Sequence, residues 1–416
     1  MSTSVDRRHD VLVVGAGPSG SACAYWLADA GYDVTLVERK RFPREKTCGD
    51  GLTPRAVRQL EDMGLAQELA GFHRYDGLRA MAFGRQLELA WPDHPDLPAH
   101  GYVVTRRDLD HLVAERAQKA GAALRQGTEA AAPVIEDGRV RGAVVATRDA
   151  GRTEQIRSRY VVVSDGANSR FGRALGTSRD RGLALGMALR GYYRSPRHAE
   201  PWIESHLDVR DRTGQVLPGY GWIFPLGDGR VNVGVGLLST SDRWAGVNTT
   251  ELMAAFVDTA PSSWELSRAT SCGAPTGGRL PMGLSVGPRV GPGHLVVGDA
   301  AGSINPFNGE GIAYAYETGR LAAVAVGEAL ANDDDGALRA YESALQHRYG
   351  LYYRVAQAFV QLIGRPQLMR ALVGTGMHSR TLMEWVLRIM ANLLRPDEIG
   401  PAEAAYRAVA ALARLA

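Results

Sequence analysis

Residues Asp10–Glu38 read DVLVVGAGPSGSACAYWLADAGYDVTLVE. An apolar run, Val11–Val14, meets glycines at Gly15, Gly17 and Gly20. An alanine-rich stretch at helical spacing then runs to Ala30, Gly31 closes it, and a second apolar run ends at Glu38. The order is strand, tight turn, helix, strand. In such a unit the first glycine lets the chain turn, the second lets the backbone approach a pyrophosphate, and the third lets helix and strand pack closely. The helix N-terminus then presents unpaired N–H groups and the positive end of its dipole to the phosphates. Glu38, about twenty residues beyond the glycines, stands where an acid accepts the ribose hydroxyls of an adenine dinucleotide and repels a 2′-phosphate. The motif alone leaves FAD and NAD both open. An ordinary βαβ unit with a glycine-rich turn is the plain structural alternative.

The chain of 416 residues has room for two or three domains, and its 45% hydrophobic and 22% charged side chains are an ordinary globular balance. A formal net charge of +3 is too small to argue for nucleic acid. Lysine occurs only at Lys40, Lys46 and Lys119, so arginine carries nearly all the positive charge. Cys23, Cys48 and Cys272 form no CxxC, and the histidines have no metal-ligand spacing, so neither a metal site nor a redox disulfide is expected. Free thiols fit a reducing compartment, and MSTSVDRRHD at the start has no apolar segment of a signal peptide, so the expected location is the cytoplasm. No run of about eighteen apolar residues exists, so no membrane-crossing helix is expected.

Further along, a helix is expected from Pro54 into Met63, a hairpin from Leu78–Phe83 and Gln86–Trp91 through Gly84–Arg85, and a helix carrying Leu109, Leu112 and Val113 that ends at Gly121. Val140–Arg148 and Arg159–Val163 read as strands, the latter running into Ser164–Asp165–Gly166. Strand signals dominate from Leu183 to about Ser239, strand-then-helix returns at His294, and the chain after Asp333–Gly336 is helical. The expected fold is therefore α/β, and α+β overall. A Rossmann-type nucleotide domain is discontinuous (1–75, 100–180 and 285–332), an antiparallel β-sheet substrate domain is inserted (76–99 and 181–284), and a C-terminal helical segment follows (333–416).

The second informative stretch is Leu295–Gly311, LVVGDAAGSINPFNGEG, where a strand ends at Gly298–Asp299 and a helix starts after Gly309-Glu310-Gly311. An acid at a strand terminus can hold a ribityl or ribose hydroxyl, and a helix N-terminus beside a flavin's N1–C2=O edge stabilises the charge of the reduced ring. Together GAGPSG with Glu38, Arg106 in RRDLD, SDG at 164–166 and GDA at 298–300 resemble the FAD-dependent family with the p-hydroxybenzoate hydroxylase fold. PREKTCGDG at Pro43–Gly51 and PGYGWIFP at Pro218–Pro225 are similar to its geranylgeranyl reductase branch, with that branch's Cys-Gly loop and YxWxFP motif. The likeness covers essentially the whole chain and is strongest to the actinobacterial menaquinone reductases, which saturate one isoprene unit of the quinone tail.

The resemblance implies FAD held by Gly15, Gly17, Pro18, Gly20, Glu38, Arg39, Cys48, Gly49, Arg106, Asp165, Asp299, Gly309, Gly311 and Ile312. It implies substrate contacts at Tyr220, Trp222, Phe224 and Pro306, and catalytic roles for Cys48, Tyr220 and Trp222. The implied reaction is reduction of a C=C bond in a menaquinone tail or a geranylgeranyl group. In a strand Tyr220, Trp222 and Phe224 share one face, and the returning RVNVGVG places Gly234 and Gly236 where open space would lie in line with Asn232. An apolar wall opposite a gap suits an isoprenoid chain; a core hairpin fits the same periodicity. No second GxGxxG is present, so the external electron donor is NAD(P)H docking transiently, a ferredoxin or a membrane carrier. Leu351–Ile363 and Leu382–Leu394 mix large apolar residues with Arg354 and Arg388, a pattern that suits peripheral contact with the cytoplasmic face of a membrane and suits packing on the core equally. Oligomeric state is not legible. Two rival readings stand: a flavin monooxygenase or halogenase on the same fold, and a prenyl-binding protein without catalysis. Halogenases carry GWxWxIP and a lysine beyond the flavin, whereas this chain has Tyr220 where the first tryptophan would fall.

Overall fold

The computed structural model describes residues 8–147, 151–210, 213–217, 219–240, 246–395 and 400–415. Residues 1–7, Arg148 and Pro218, on which parts of the expectations above fall, lie outside the described residues. Consecutive apolar positions are what a strand covered on both faces requires. Val11, Leu12, Val13 and Val14 are accordingly buried at the centre of an eight-stranded sheet. The strand Arg8–Val14 pairs in parallel with Val34–Glu38 on one side and Arg152–Val163 on the other. Ala123–Gln126 and His294–Val296 extend the parallel run outward. The chain leaves Arg8–Val14 toward one side and returns on the other, so the strand order reverses there. Crevices at such a switch point, beyond the carboxyl ends of the strands, are where open α/β sheets bind ligands. Arg152–Val163 is longer than the sequence indicates; its first half pairs antiparallel with Arg139–Thr147, which pairs with Thr128–Glu136.

A second, seven-stranded sheet runs in the order Thr276–Pro281, Leu185–Arg194, Arg230–Leu238, Gly219–Pro225, Trp202–His206, Gly77–Ala82, Arg85–Ala90. It is antiparallel as expected except at one junction, where Trp202–His206 joins Gly77–Ala82 in parallel. That pair brings together segments far apart in the chain, so no hairpin dictates its direction. Gly51–Leu52, Gly101–Val103 and His73–Tyr75 make a small third sheet between the two.

The helices Pro18–Asp29 and Ile312–Asn332 cover one face of the first sheet, so the start and the late return of the nucleotide unit share one core. The C-terminal region is helical: Leu351–Ile363, Pro366–Gly376, Arg380–Met390 and Pro401–Leu415. The helix expected to reach Leu394 stops at Met390. Asn392 takes φ +55°, and the N–H groups of Asn392 and Leu393 turn back to the carbonyls of Ile389 and Arg388. Among the described residues no helix is long and apolar enough to cross a membrane.

Candidate active site

The turn after the first strand is closed by contacts that leave no room for side chains. Gly15 takes φ +101°, and a Cβ there would lie 2.6 Å from the Ser164 carbonyl oxygen. A Cβ on Gly20 would collide with the Gly15 carbonyl oxygen and the Ser164 hydroxyl. Ser164 Oγ donates to the carbonyls of Val14 and Gly15, both at 2.8 Å, tying the ends of two neighbouring strands together. At Gly17 a Cβ would meet nothing nearer than Arg44 Nη2 at 4.0 Å, so the backbone there is open to approach. Gly17 caps the helix without a side-chain bond and Pro18 opens it, which leaves first-turn N–H groups for an anion.

Glu38 is buried at the end of its strand. Its Oε2 accepts from the Ala16 N–H (3.1 Å) and Arg44 Nη2 (3.2 Å), and its Oε1 from the Lys40 N–H (3.0 Å). These donors leave about one of a carboxylate's roughly four acceptor sites for a hydroxyl. Arg44 Nη1 also reaches Asp110 Oδ2 at 2.8 Å, and Asp110 binds Arg106 through two bonds of 2.7 and 3.0 Å. Burial alone would raise the Asp110 carboxyl, but Arg106 and Arg44 hold it below the ordinary value. On the opposite rim Asp165 Oδ2 accepts from the Phe171 N–H (3.1 Å), while Oδ1 is buried without a partner. Burial pushes this carboxyl up, against hydrogen bonds from Ser169 and Phe171.

The Cys48 loop joins this cradle to the second sheet. The Cys48 side chain lies near Arg106, Tyr220 and Tyr316. Its carbonyl accepts from Asn232 Nδ2 at 2.9 Å. Asn232 Nδ2 also donates to Asp50 Oδ2 (2.8 Å), and Asn232 Oδ1 accepts from Trp222 Nε1 (2.9 Å). Asp50 is fully buried at φ +66° and also accepts from Tyr192 Oη (2.6 Å) and the Arg106 N–H (3.3 Å). Burial pushes Asp50 up to about 6, with Tyr192, Arg190, Asn232 and Arg106 pulling it back. Lys46 Nζ stands 3.4 Å from Asp299 Oδ2.

Tyr220, Trp222 and Phe224 stand opposite Gly236, Gly234 and Asn232 of the neighbouring strand, with ring centroids 5.7 and 6.3 Å apart along the row. The space expected over Gly234 is not open: a Cβ there would collide with the Trp222 ring, which fills it. The row is clamped between two loops of the nucleotide unit. A Cβ on Gly49 would come within 3.3 Å of Phe224 and 3.4 Å of Trp222 Nε1, and one on Gly309 within 3.3 Å of Tyr220 Oη. Tyr220 Oη donates to the Asn308 carbonyl at 2.7 Å.

Gly298–Ala301 is a single 3₁₀ turn after the strand His294–Val296, and Gly311 caps the helix Ile312–Asn332 without a side-chain bond. A Cβ on Gly311 would sit 3.6 Å from Asp299 Oδ1, so the acid and the helix N-terminus are adjacent. Next to Gly311 in the chain, Glu310 accepts a hydrogen bond from the Thr53 hydroxyl on Oε1, while its Oε2 is buried without a partner. Burial pushes this carboxyl up to about 7; Thr53 and Arg55 pull it back and Glu317 adds to the rise.

The geometry thus gathers Cys48, Gly49, Tyr220, Trp222, Phe224, Gly309, Gly311 and Arg106 around one seam. Gly15, Gly17, Pro18, Gly20, Glu38 and Asp165 form the rim at the strand ends. Ile312 is buried at the first turn of its helix. Arg39 is exposed just past Glu38, and the cation that grips Glu38 is Arg44. Pro306 is buried against the turn at Gly283. The motifs do not single out Arg44, Lys46 and Asp50, although all lie in PREKTCGDG, nor Glu310 between its two glycines. For Asp50 and Glu310 a charged residue set between two glycines is the signal that could have found them; Arg44 and Lys46 carry no such mark. Among the described residues no three His, Cys, Asp or Glu side chains group to hold a metal ion. The open backbone at Gly17, the uncapped helix ends and the orphaned Asp165 Oδ1 fit an extended dinucleotide, and Asp299 lies beside the second helix end.

Comparison with known proteins agrees. Residues 8–188 match the family model described as an FAD binding domain. The chain is 42% identical to a menaquinone reductase of Mycolicibacterium smegmatis over 95% of this chain and 94% of that protein. It is 32% identical to a digeranylgeranylglycerophospholipid reductase of Methanopyrus kandleri over 83% and 84% of the two chains. Among solved structures, a geranylgeranyl bacteriochlorophyll reductase-like protein of Thermoplasma acidophilum superposes with a TM-score of 0.79 at 23% identity, covering 97% of this chain and 99% of that one. A flavin-dependent brominase superposes with a TM-score of 0.76 at 20% identity over 99% and 100%, a likeness of fold alone.

Proposed function

The chain belongs to the geranylgeranyl reductase family of FAD-dependent oxidoreductases, and from that premise we propose that it saturates one C=C bond in the isoprenoid tail of menaquinone. The observation that carries the choice of quinone over phospholipid is the 42% identity to a menaquinone reductase across nearly all of both chains. The site supports it. An isolated trisubstituted alkene has no carbonyl to absorb charge, so positive character develops at carbon and must be kept from water. Bound FAD, once reduced by an external donor, supplies the hydride. Tyr220 and Phe224, on either side of the buried Trp222, offer aromatic faces to a tail lying along the seam and favour that positive character. Asn232 and Asp50 fix the Cys48 loop against the row, so the apolar contact surface is set before substrate arrives.

The proposal extends to the membrane in which such a quinone resides. Leu362, Leu372, Leu382 and Val409, on four successive C-terminal helices, are large apolar side chains left exposed. Arg365, Arg370 and Arg380 are interspersed with them, a pairing suited to an anionic lipid surface on the cytoplasmic side. Anaerobic incubation of enzyme, reductant and menaquinone followed by mass spectrometry tests the reaction; no gain of two hydrogens in the tail refutes the substrate. The brominase-like fold leaves a rival chemistry, which would consume oxygen in proportion to product.

A further inference from the structure

We propose that Glu310 is the acid that delivers the proton to the double bond, an assignment that rests on the isoprenoid-reductase reading. Saturating a C=C bond adds a hydride and a proton. The hydride, with its electron pair, comes from the reduced cofactor and forms one C–H bond. The O–H bond of Glu310 breaks, its proton forms the second C–H bond, and the carboxylate left behind regains a proton from solvent between turnovers.

Three features of the fold select this residue. First, Glu310 sits between Gly309, which touches Tyr220, and Gly311, which caps the helix beside Asp299. It is therefore at the Tyr220 end of the aromatic row and at the second helix N-terminus together. Second, the Thr53 hydroxyl occupies Oε1 while Oε2 is buried and unpartnered. An unpaired buried carboxylate oxygen is costly, whereas a protonated one carries an O–H able to donate to a group entering the site. Third, the cation that acts on Glu310 is already paired. The groups that act on Glu310 are Arg55, Glu317, Tyr75, Tyr220 and Tyr314. Arg55 is the one cation among them, and its Nη2 is engaged by both Glu317 oxygens at 2.6 and 2.7 Å. Burial keeps the three tyrosines above their ordinary range and hence neutral. The rise of Glu310 to about 7 accords with a proton held near neutrality. The raised carboxyls of Asp50 and Asp165 serve less well. Asp50 spends both oxygens on Tyr192, Asn232 and the Arg106 N–H, and Asp165 belongs to the Gly15 rim.

Infrared difference spectra of the resting protein judge Glu310 without substrate. Wild type minus E310Q should hold a carboxylic-acid C=O band that bleaches as pH rises through about 7; a difference spectrum without that band overturns the proposal. In anaerobic single turnovers of pre-reduced enzyme with menaquinone, E310Q should slow tail reduction by about 10²-fold or more. Its flavin spectrum and its reduction by dithionite should match wild type. The wild-type rate should fall above about pH 7, E310Q should lose that dependence, and E310D should keep it at an intermediate rate. Wild-type rate and pH profile in E310Q would overturn the assignment. If wild type itself leaves the menaquinone tail unchanged, the quinone reading fails; a geranylgeranyl phospholipid then replaces it in the same comparison of wild type with E310Q, where a slowed, pH-independent variant supports Glu310 and an unchanged one overturns it.

Discussion

Glu38 and Arg44 show how much of the cofactor cradle depends on single charges. Replacing Glu38 with Ala leaves the Ala16 and Lys40 N–H groups and one face of Arg44 without partners. The acceptor site left on Glu38 for a ribose hydroxyl is lost as well, and a bond of that kind is worth about 1–3 kcal/mol, so FAD affinity should fall by roughly 10- to 100-fold. Fluorescence titration of apoprotein with FAD measures it, and wild-type affinity in E38A would remove Glu38 from the site. Glu310 makes a prediction about stability as well as rate. Its carboxyl is raised in the folded state, so its contribution is fully present below the ordinary value of 4.5 and is lost as pH climbs through about 7. E310Q cannot ionise and should escape that loss. Denaturant midpoints of the two proteins should diverge between about pH 5 and about pH 8, with E310Q the more stable at the upper end. Parallel midpoints would mean that Glu310 is not raised.

The elements differ in how far the sequence announces them. Arg8–Val14 and the turn after it are plain, because four consecutive apolar residues and three spaced glycines have few other uses. Thr128–Glu136 is not. Its TEAAAPVIE has three alanines and a proline, which an outermost strand pairing on one edge tolerates and a sequence pattern does not announce. The aromatic strand is legible as a one-faced row, but the state of the space opposite it is not, since only the fold shows Trp222 folded over Gly234. Arg44 is invisible as a site residue because its meaning lies in a partner remote in sequence, Asp110, and the flanking glycines that mark Asp50 do not reveal its remote partners Tyr192 and Asn232. Asn232 is the point where the aromatic strand, its neighbour and the Cys48 loop meet. Asn232→Leu leaves the Trp222 N–H and the Cys48 carbonyl without that partner and takes one of Asp50's three donors, and should lower stability by about 3 kcal/mol or more in a denaturant titration. A loss within about 0.5 kcal/mol would show that these bonds do not hold the loop.

At the scale of the molecule, two sheets and a C-terminal helical layer serve one seam, where loops of the nucleotide unit close over a row of rings from the other sheet. A reductase of membrane-resident quinones must also reach lipid, and the exposed Leu372 and Leu382 make that testable. L372D with L382D should reduce co-sedimentation with anionic vesicles several-fold while leaving flavin content unchanged; binding equal to wild type would contradict membrane contact through these helices. The central claim is that this seam reduces an isoprenoid double bond with FAD. The most direct measurement is mass spectrometry of menaquinone after anaerobic incubation with the purified, pre-reduced holoenzyme. The predicted result is a gain of two hydrogens confined to the tail fragment, with flavin reoxidised in proportion; an unaltered tail beside fully reduced flavin would contradict it.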